Sequence, residues 1–432
     1  MLTRQQLEVP NLGDRTIESP LSSRRGGHFV PDAARLLYRI DFTPEEPLDT
    51  EVSLEKAGPR RRIFFHPENV RAAIVTCGGL CPGLNNVIRS VFFELFHHYG
   101  VKTVMGIRNG YQGLNPAYGH ALLPLSTEAV EHIHKLGGTL LGSSRGPQNP
   151  TIMVDFLDRE GINMLFCVGG DGTLRGAHAI CEESARRKLR LSIVGIPKTI
   201  DNDISFVWQS FGYITAVEKA REALDGAHAE AKASPNGISL VKLMGRDAGF
   251  IAAGATVASQ EVNYTLIPEV PFRLEGEGGF LPHLKQRILA RKHAVIVVAE
   301  GAGQDLLESG PAEYDASGNR KHRDIGMFLK ERIQEYFCRE GVPIVLRYID
   351  PSYLIRSTPA NTGDSLLCDQ LGRNAVHAAM AGKTDLIVGF WQNHFVYVPI
   401  EMVVSSKKRM REENELWAAV LEATGQPSRF GA

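Results

Sequence analysis

The sequence predicts an α/β protein whose parallel sheets are covered by helices on both faces, and three observations predict it. Short segments that are apolar throughout recur along the chain, each ends in a turn rich in glycine or aspartate, and a stretch with helical spacing follows. Strands that are apolar on both faces and separated by helices belong to sheets buried on both sides. With 432 residues, 43% of them apolar, the chain is long enough for about two such domains.

Residues 1–70 carry Pro10, Pro20, Pro31, Pro44, Pro47, Pro59 and Pro67 and the run Arg60-Arg61-Arg62, and read as an extension that wraps a core. From about residue 71 the pattern changes. Ala72 to Thr76 is the first strand, turning at Cys77-Gly78-Gly79 into a helix through Val87, Ile88, Val91 and Phe92. Asn163 to Val168 is a second, turning at Gly169-Gly170-Asp171-Gly172-Thr173 into a helix through Ala177 and Ile180. Leu191 to Ile196 ends at Pro197, and Ile238 to Met244, Ala294 to Ala299 and Leu386 to Phe390 are further strands. No short-period repeat is present, which excludes a solenoid.

Charge narrows the function. With 48 Lys+Arg against 49 Asp+Glu, the net charge is -1, so the chain has no electrostatic footprint for nucleic acid or an anionic membrane. An anionic ligand has to be met by a local cluster of charge. The apolar runs are too short to span a bilayer, and the opening residues have no signal-peptide core. Six scattered cysteines without C-x-x-C spacing read as free thiols in a reducing compartment. The expectation is a cytoplasmic protein with no membrane and no nucleic-acid partner.

Three turns offer chemistry. Gly78 to Gly83 between strand and helix fits either a steric turn or backbone N–H groups facing a phosphate. In Gly169 to Thr173 three glycines allow close approach to a polyphosphate, and Asp171 offers Mg²⁺ a hard oxygen. Pro197-Lys198-Thr199-Ile200-Asp201-Asn202-Asp203 gathers a cation, a hydroxyl and two carboxylates. If that segment is extended, Asp201 and Asp203 point the same way and need a metal, a cation or a shared proton between them. Gly382-Lys383-Thr384 is not a P-loop, because the residues before it read as helix, with Gly382 its C-cap. Arg347, Tyr353 and Arg356 by themselves read as an ordinary surface loop.

From about residue 71 to 406 the chain resembles the phosphofructokinase family. The ordered motifs that carry the resemblance are CGGLCPGLNN at 77–86, GGTLLGSSRG at 137–146, GGDGT at 169–173, PKTIDND at 197–203, MGRDAG at 244–249, IPEVPF at 267–272, AEGAG at 299–303 and PSYLIRS at 351–357. GGDGT is shared with lipid and NAD kinases, whereas PKTIDND followed by MGR separates this family from them. The resemblance implies two doubly wound, mostly parallel-sheet lobes behind an N-terminal extension, 1–70. The donor lobe is 71–212, completed by about 357–406, and the fructose 6-phosphate lobe is 213–356, completed by about 407–432.

Residue by residue, the resemblance implies that Gly79, Arg145, Gly146, Gly170, Asp171, Gly172 and Thr173 hold the phosphoryl donor, with Asp171 on Mg²⁺. Asp201 is the proton acceptor for the sugar 1-hydroxyl, flanked by Thr199 and Ile200, and Asp203 is a second carboxylate near the metal. Arg246, with Met244 and Gly245, lies against the transferring phosphoryl group. Glu300 accepts from sugar hydroxyls, while Tyr353, Leu354, Ile355 and Arg356 form the 6-phosphate end. Arg347 reaches the substrate of a neighbouring subunit, which implies a homo-oligomer with shared sites, a tetramer.

Two departures bear on this reading. Gly237 stands where simple bacterial members have a second intersubunit arginine. Lys198, itself a catalytic candidate, stands where they have glycine and is associated with pyrophosphate users, but Gly172 is the glycine of ATP users. The combination resembles the kinetoplastid-type branch and implies ATP-dependent 6-phosphofructokinase activity, with pyrophosphate as the alternative donor. A catalytically silent sugar-phosphate-binding subunit is the competing class, and retention of Asp171, Asp201, Asp203 and Arg246 argues against it.

Overall fold

The computed structural model describes residues 2–23, 28–307, 314 and 321–431. The chain divides into two compact units, the first of residues 1–199, 204–212 and 357–407, the second of residues 200–203, 213–356 and 408–432. The chain passes from the first unit to the second inside the PKTIDND segment.

Besides the short strands Ile17–Glu18 and Arg62–Ile63, which pair only with each other, the strands of the first unit in chain order are β1 (Arg35–Leu37), β2 (Ser53–Lys56), β3 (Arg71–Thr76), β4 (Thr103–Ile107), β5 (Leu123–Pro124), β6 (Met164–Gly169) and β7 (Ser192–Pro197). The second unit supplies β8 (Gly237–Leu243), β9 (Tyr264–Leu266), β10 (His293–Ala299) and β11 (Val345–Ile349). The chain then returns with β12 (Leu386–Trp391) and β13 (His394–Pro399). The first sheet has nine strands in the order β1-β2-β13-β12-β7-β6-β3-β4-β5, and the second has four in the order β9-β10-β8-β11.

The middle of the first sheet, β12, β7, β6, β3 and β4, is parallel, and antiparallel strands close both edges. All four strands of the second sheet are parallel. Both architectures follow from the residues: β6 and β7 are buried along their whole length, as a strand covered on both faces must be. Ala73, Val75, Leu165, Ile193 and Leu174 share one core, and Ile238, Leu240, Leu266, Ile296 and Leu329 share the other.

Residues 1–70 contribute more than a wrapping arm, since β1 and β2 extend the first sheet beyond β13. A buried charge network fixes them. The Lys383 ammonium lies 2.8 Å from the Glu55 carboxylate, and the Arg60 guanidinium donates to Glu55 at 2.8 Å. Lys383 therefore serves as a buried counter-ion. The helix before it, Thr362–Met380, leaves no room for a P-loop, and Gly382 takes φ 75° just past its end.

No helix among the described residues is long and apolar enough to cross a membrane. All six cysteines are free and five are buried, and burial pushes the Cys77 thiol up to about 12, so it carries no thiolate at neutral pH.

Candidate active site

In the first unit the donor candidates converge on the carboxyl ends of β3, β6 and β7, where parallel sheets place ligands. Gly169 and Gly170 connect β6 to α1 (Asp171–Arg186), whose first N–H groups point out of its N-terminus without a side-chain cap. A Cβ on Gly169 would lie 2.1 Å from the Thr173 hydroxyl oxygen, so only glycine permits this turn. Gly172 is exposed, and a Cβ there would meet nothing within 4 Å.

Lys198 is buried; its N–H donates to the Gly169 carbonyl at 3.0 Å, and its ammonium donates to the Gly79 carbonyl at 2.6 Å. A Cβ on Gly79 would come within 3.4 Å of the Arg145 guanidinium, so Gly79, Arg145, Lys198 and the Gly170 turn share one neighbourhood. Gly146 follows Arg145 at φ 98°. The Asp171 carboxylate stands 4.0 Å from the Lys407 ammonium. Among the described residues no group of three His, Cys, Asp or Glu is placed to hold a metal ion. Asp171 offers one carboxylate of the kind through which Mg²⁺ is held together with phosphate oxygens and water.

In the second unit the acceptor candidates gather around Asp201. The segment is not extended as the sequence suggested: Asn202 takes φ 55°, which turns the chain between the two carboxylates. Asp201 and Asp203 remain electrostatic neighbours all the same. Burial, followed by the nearby Asp203 and Glu300 carboxylates, pushes the Asp201 carboxyl well above the usual carboxylate range, although the Arg246 backbone N–H hydrogen-bonds to it. Burial likewise raises Glu300, against which Arg246, Lys242 and Arg356 act. Met244 is buried at the end of β8, and Gly245 takes φ 133° to turn the chain toward Arg246. Thr199, on the first-unit side of the chain crossing, accepts from the Ser210 hydroxyl through its carbonyl, and Ile200 is buried.

The region read as a surface loop from residues alone is built instead of β11 and a short helix. Arg347 lies on β11 beside β8, where its guanidinium meets Glu230 at 2.8 Å and the Ser234 hydroxyl at 2.8 Å. Tyr353, Leu354 and Arg356 project from the helix Ser352–Ser357, with Arg356 over the Tyr353 ring at 4.5 Å from its centre. Tyr353 and Leu354 are exposed, whereas Ile355 is buried and anchors the helix, so its side chain faces the interior. At Gly237 a Cβ would lie 2.0 Å from the Ala231 carbonyl oxygen, so this backbone admits no arginine there.

The family model for phosphofructokinase matches residues 71–379. The chain belongs to the phosphofructokinase family. It is 48% identical to the ATP-dependent 6-phosphofructokinase of Borreliella burgdorferi, over 97% of this chain and 96% of that protein. It is 44% identical to the ATP-dependent 6-phosphofructokinase of Trypanosoma cruzi, over 98% of this chain and 88% of that one. The fold is that of solved phosphofructokinases. A pyrophosphate-dependent phosphofructokinase from Marinobacter aquaeolei superposes with a TM-score of 0.67 at 20% identity, covering 84% of this chain and 93% of that one.

Two lysines stand beside the candidate acceptor carboxylates without having been singled out in the sequence. The Lys408 backbone N–H donates to the Asp203 carbonyl at 3.0 Å, and burial pulls its ammonium down to about 8 despite the nearby Asp203. It sits in the run Lys407-Lys408-Arg409, which by composition is solvated surface. Lys242 precedes the MGR motif by two residues inside an apolar strand, the one signal that could have marked it.

The raised Asp201 carboxyl has a consequence for stability. Its folded pKa lies above its unfolded value, so the folded state binds the extra proton and loses stability as pH rises through the folded value. Asp201→Asn is therefore expected to raise the melting temperature of the ligand-free, Mg²⁺-free protein at pH 7–8 by a few degrees. The difference should shrink toward about pH 4, where an unfolded aspartate is itself protonated. Calorimetry of both proteins across that range checks this; an Asn variant less stable at pH 8 than the wild type would contradict it.

Proposed function

We propose that the protein is an ATP-dependent 6-phosphofructokinase, which transfers the γ-phosphoryl group of ATP to the 1-hydroxyl of fructose 6-phosphate and forms fructose 1,6-bisphosphate in glycolysis. The observation that carries the chemistry is the buried Asp201 carboxyl, hydrogen-bonded by the Arg246 backbone and neighboured by Asp203 and Glu300. The donor reading is supported by relatives at 48% and 44% identity that are named for ATP.

In this reading the N-terminus of α1, with Gly170 to Thr173, Gly79, Gly146 and Arg145, cradles the donor phosphates through backbone N–H groups and a guanidinium. Asp171 would hold Mg²⁺, which supplies charge neutralisation between phosphate oxygens when bound. Asp201 takes the proton from the attacking hydroxyl, and Arg246 stabilises charge spread over the transferring oxygens. Ile200, Met244 and Gly245 shape the wall around the reacting hydroxyl. Glu300 orients the sugar, and Tyr353, Leu354 and Arg356 meet its 6-phosphate. The same reading gives a cytoplasmic homotetramer. Pyrophosphate remains the second donor reading because Lys198 is the lysine of pyrophosphate users, but the open space at Gly172 favours a nucleotide. Phosphorus NMR of the product tests the reaction: a new phosphomonoester on C1, formed only with Mg²⁺ present, is expected.

Arg347 and Arg356 are expected to act in ground-state binding, because the 6-phosphate does not react. Truncating either to Ala should raise KM for fructose 6-phosphate more than it lowers kcat. For Arg347 the effect should cross subunits, its guanidinium exchanging Glu230 for the partner's substrate. Hybrids reassembled from Arg347→Ala and Asp201→Asn proteins should show more activity at low fructose 6-phosphate than either parent; confirmed exchange without recovery above the parents contradicts shared sites.

A further inference from the structure

The helix that carries Tyr353 and Arg356 is only six residues long, too short to be stable by itself. Its start is held by Asp350, whose Oδ1 accepts from the Ser352 backbone N–H at 3.1 Å and from the Ser352 hydroxyl at 2.5 Å. Asp350 is held in turn by Lys242, with Nζ 2.9 Å from its Oδ2. The Lys242 side chain is only 13% exposed and reaches across from β8, with a second contact at 3.1 Å to Asp324. Asp324 caps α2 (Ile325–Arg339) by accepting from the Met327 N–H at 3.1 Å, and it also accepts from the Tyr348 hydroxyl. Burial alone would lower the lysine and raise Asp350, yet the hydrogen bonds each makes reverse both shifts, so the pair is fully charged at neutral pH.

We propose that Lys242 is a positioning residue for the phosphate end of the acceptor: through Asp350 it fixes the start of the Ser352–Ser357 helix, so that Tyr353 and Arg356 face the sugar phosphate in one orientation. The proposal rests on the reading of the second unit as the acceptor side. A lysine that only tied strands together would support fold stability. A positioning lysine sets affinity for one substrate and leaves the other untouched.

The test is steady-state kinetics on the full-length protein with Lys242→Met, Lys242→Arg, Asp350→Asn, the Lys242→Met/Asp350→Asn double variant and Asp324→Ala. Lys242→Met and Asp350→Asn should each raise KM for fructose 6-phosphate about tenfold, with kcat and KM for ATP within twofold of wild type. The double variant should be no worse than the worse single one, because both break the same link. Lys242→Arg should restore KM to within about threefold. Asp324→Ala, which removes the helix cap but not the Asp350 link, should lower the melting temperature and leave KM unchanged. Overturning results are a Lys242→Met variant that changes both KM values in proportion, or one that loses thermal stability with KM for fructose 6-phosphate unmoved. If Lys242→Met fails to fold, Asp350→Asn with an unchanged KM overturns the proposal by itself. A wild type that does not turn over fructose 6-phosphate sinks the functional reading and this proposal with it; an active wild type with unmoved variants sinks only the proposal.

Discussion

Asp201→Asn is expected to lower kcat by about 10²–10⁴ while KM for fructose 6-phosphate changes much less, the usual signature of losing a positioned general base. The amide keeps the size of the carboxyl and still accepts the Arg246 N–H, so substrate contacts persist and only proton acceptance is lost. The environment sharpens the expectation. Burial and the Asp203 and Glu300 charges raise the Asp201 pKa, which makes its ionised form a stronger base and places the acid limb of the pH profile above the ~3.9 of a free aspartate. Initial rates between pH 5 and 9 for both proteins provide the check. An Asn variant with unchanged kcat would remove Asp201 from the chemistry.

Gly172→Asp is expected to cripple the use of ATP while leaving room for pyrophosphate. The second residue of α1 is exposed, and a Cβ there meets nothing within 4 Å, so the variant should fold and the loss should be one of donor binding. An aspartate there fills the space against which a nucleotide α-phosphate can lie. It also sets a like charge about 4 Å from that phosphate, worth roughly 4 kcal/mol at an effective dielectric of 20. Pyrophosphate has no α-phosphate to clash. A variant that keeps its full kcat/KM for ATP would show that residue 172 does not select the donor.

Much of the fold is legible in the sequence because continuous apolar runs ending in glycine turns are hard to place anywhere but in a covered parallel sheet. Asn163 to Val168 and Leu191 to Ile196 predicted β6 and β7 to within a residue or so. What escaped has physical reasons. β1 and β2 are three and four residues long and embedded among prolines, and they are strands only because β13 offers them an edge. β11 reads as loop because Arg347 and Tyr348 break its apolar run, and its pairing with β8 supplies the order that periodicity does not.

At the candidate site, the turns at the strand ends announced themselves through glycine spacing. The carboxylates at 201 and 203 announced themselves through their charge, although the left-handed Asn202 between them could not be read from an Asp-Asn-Asp string. Lys242 and Lys408 were illegible because their role depends on which acids the fold brings to them, and nothing in their neighbours along the chain says so.

This chain is expected to move a phosphoryl group from ATP to fructose 6-phosphate. The measurement that tests it most directly is kcat/KM of the wild-type protein with ATP and with pyrophosphate, in parallel, at saturating fructose 6-phosphate and Mg²⁺. A clear preference for ATP with formation of fructose 1,6-bisphosphate is the expected result; a preference for pyrophosphate, or no turnover with either donor, would contradict it.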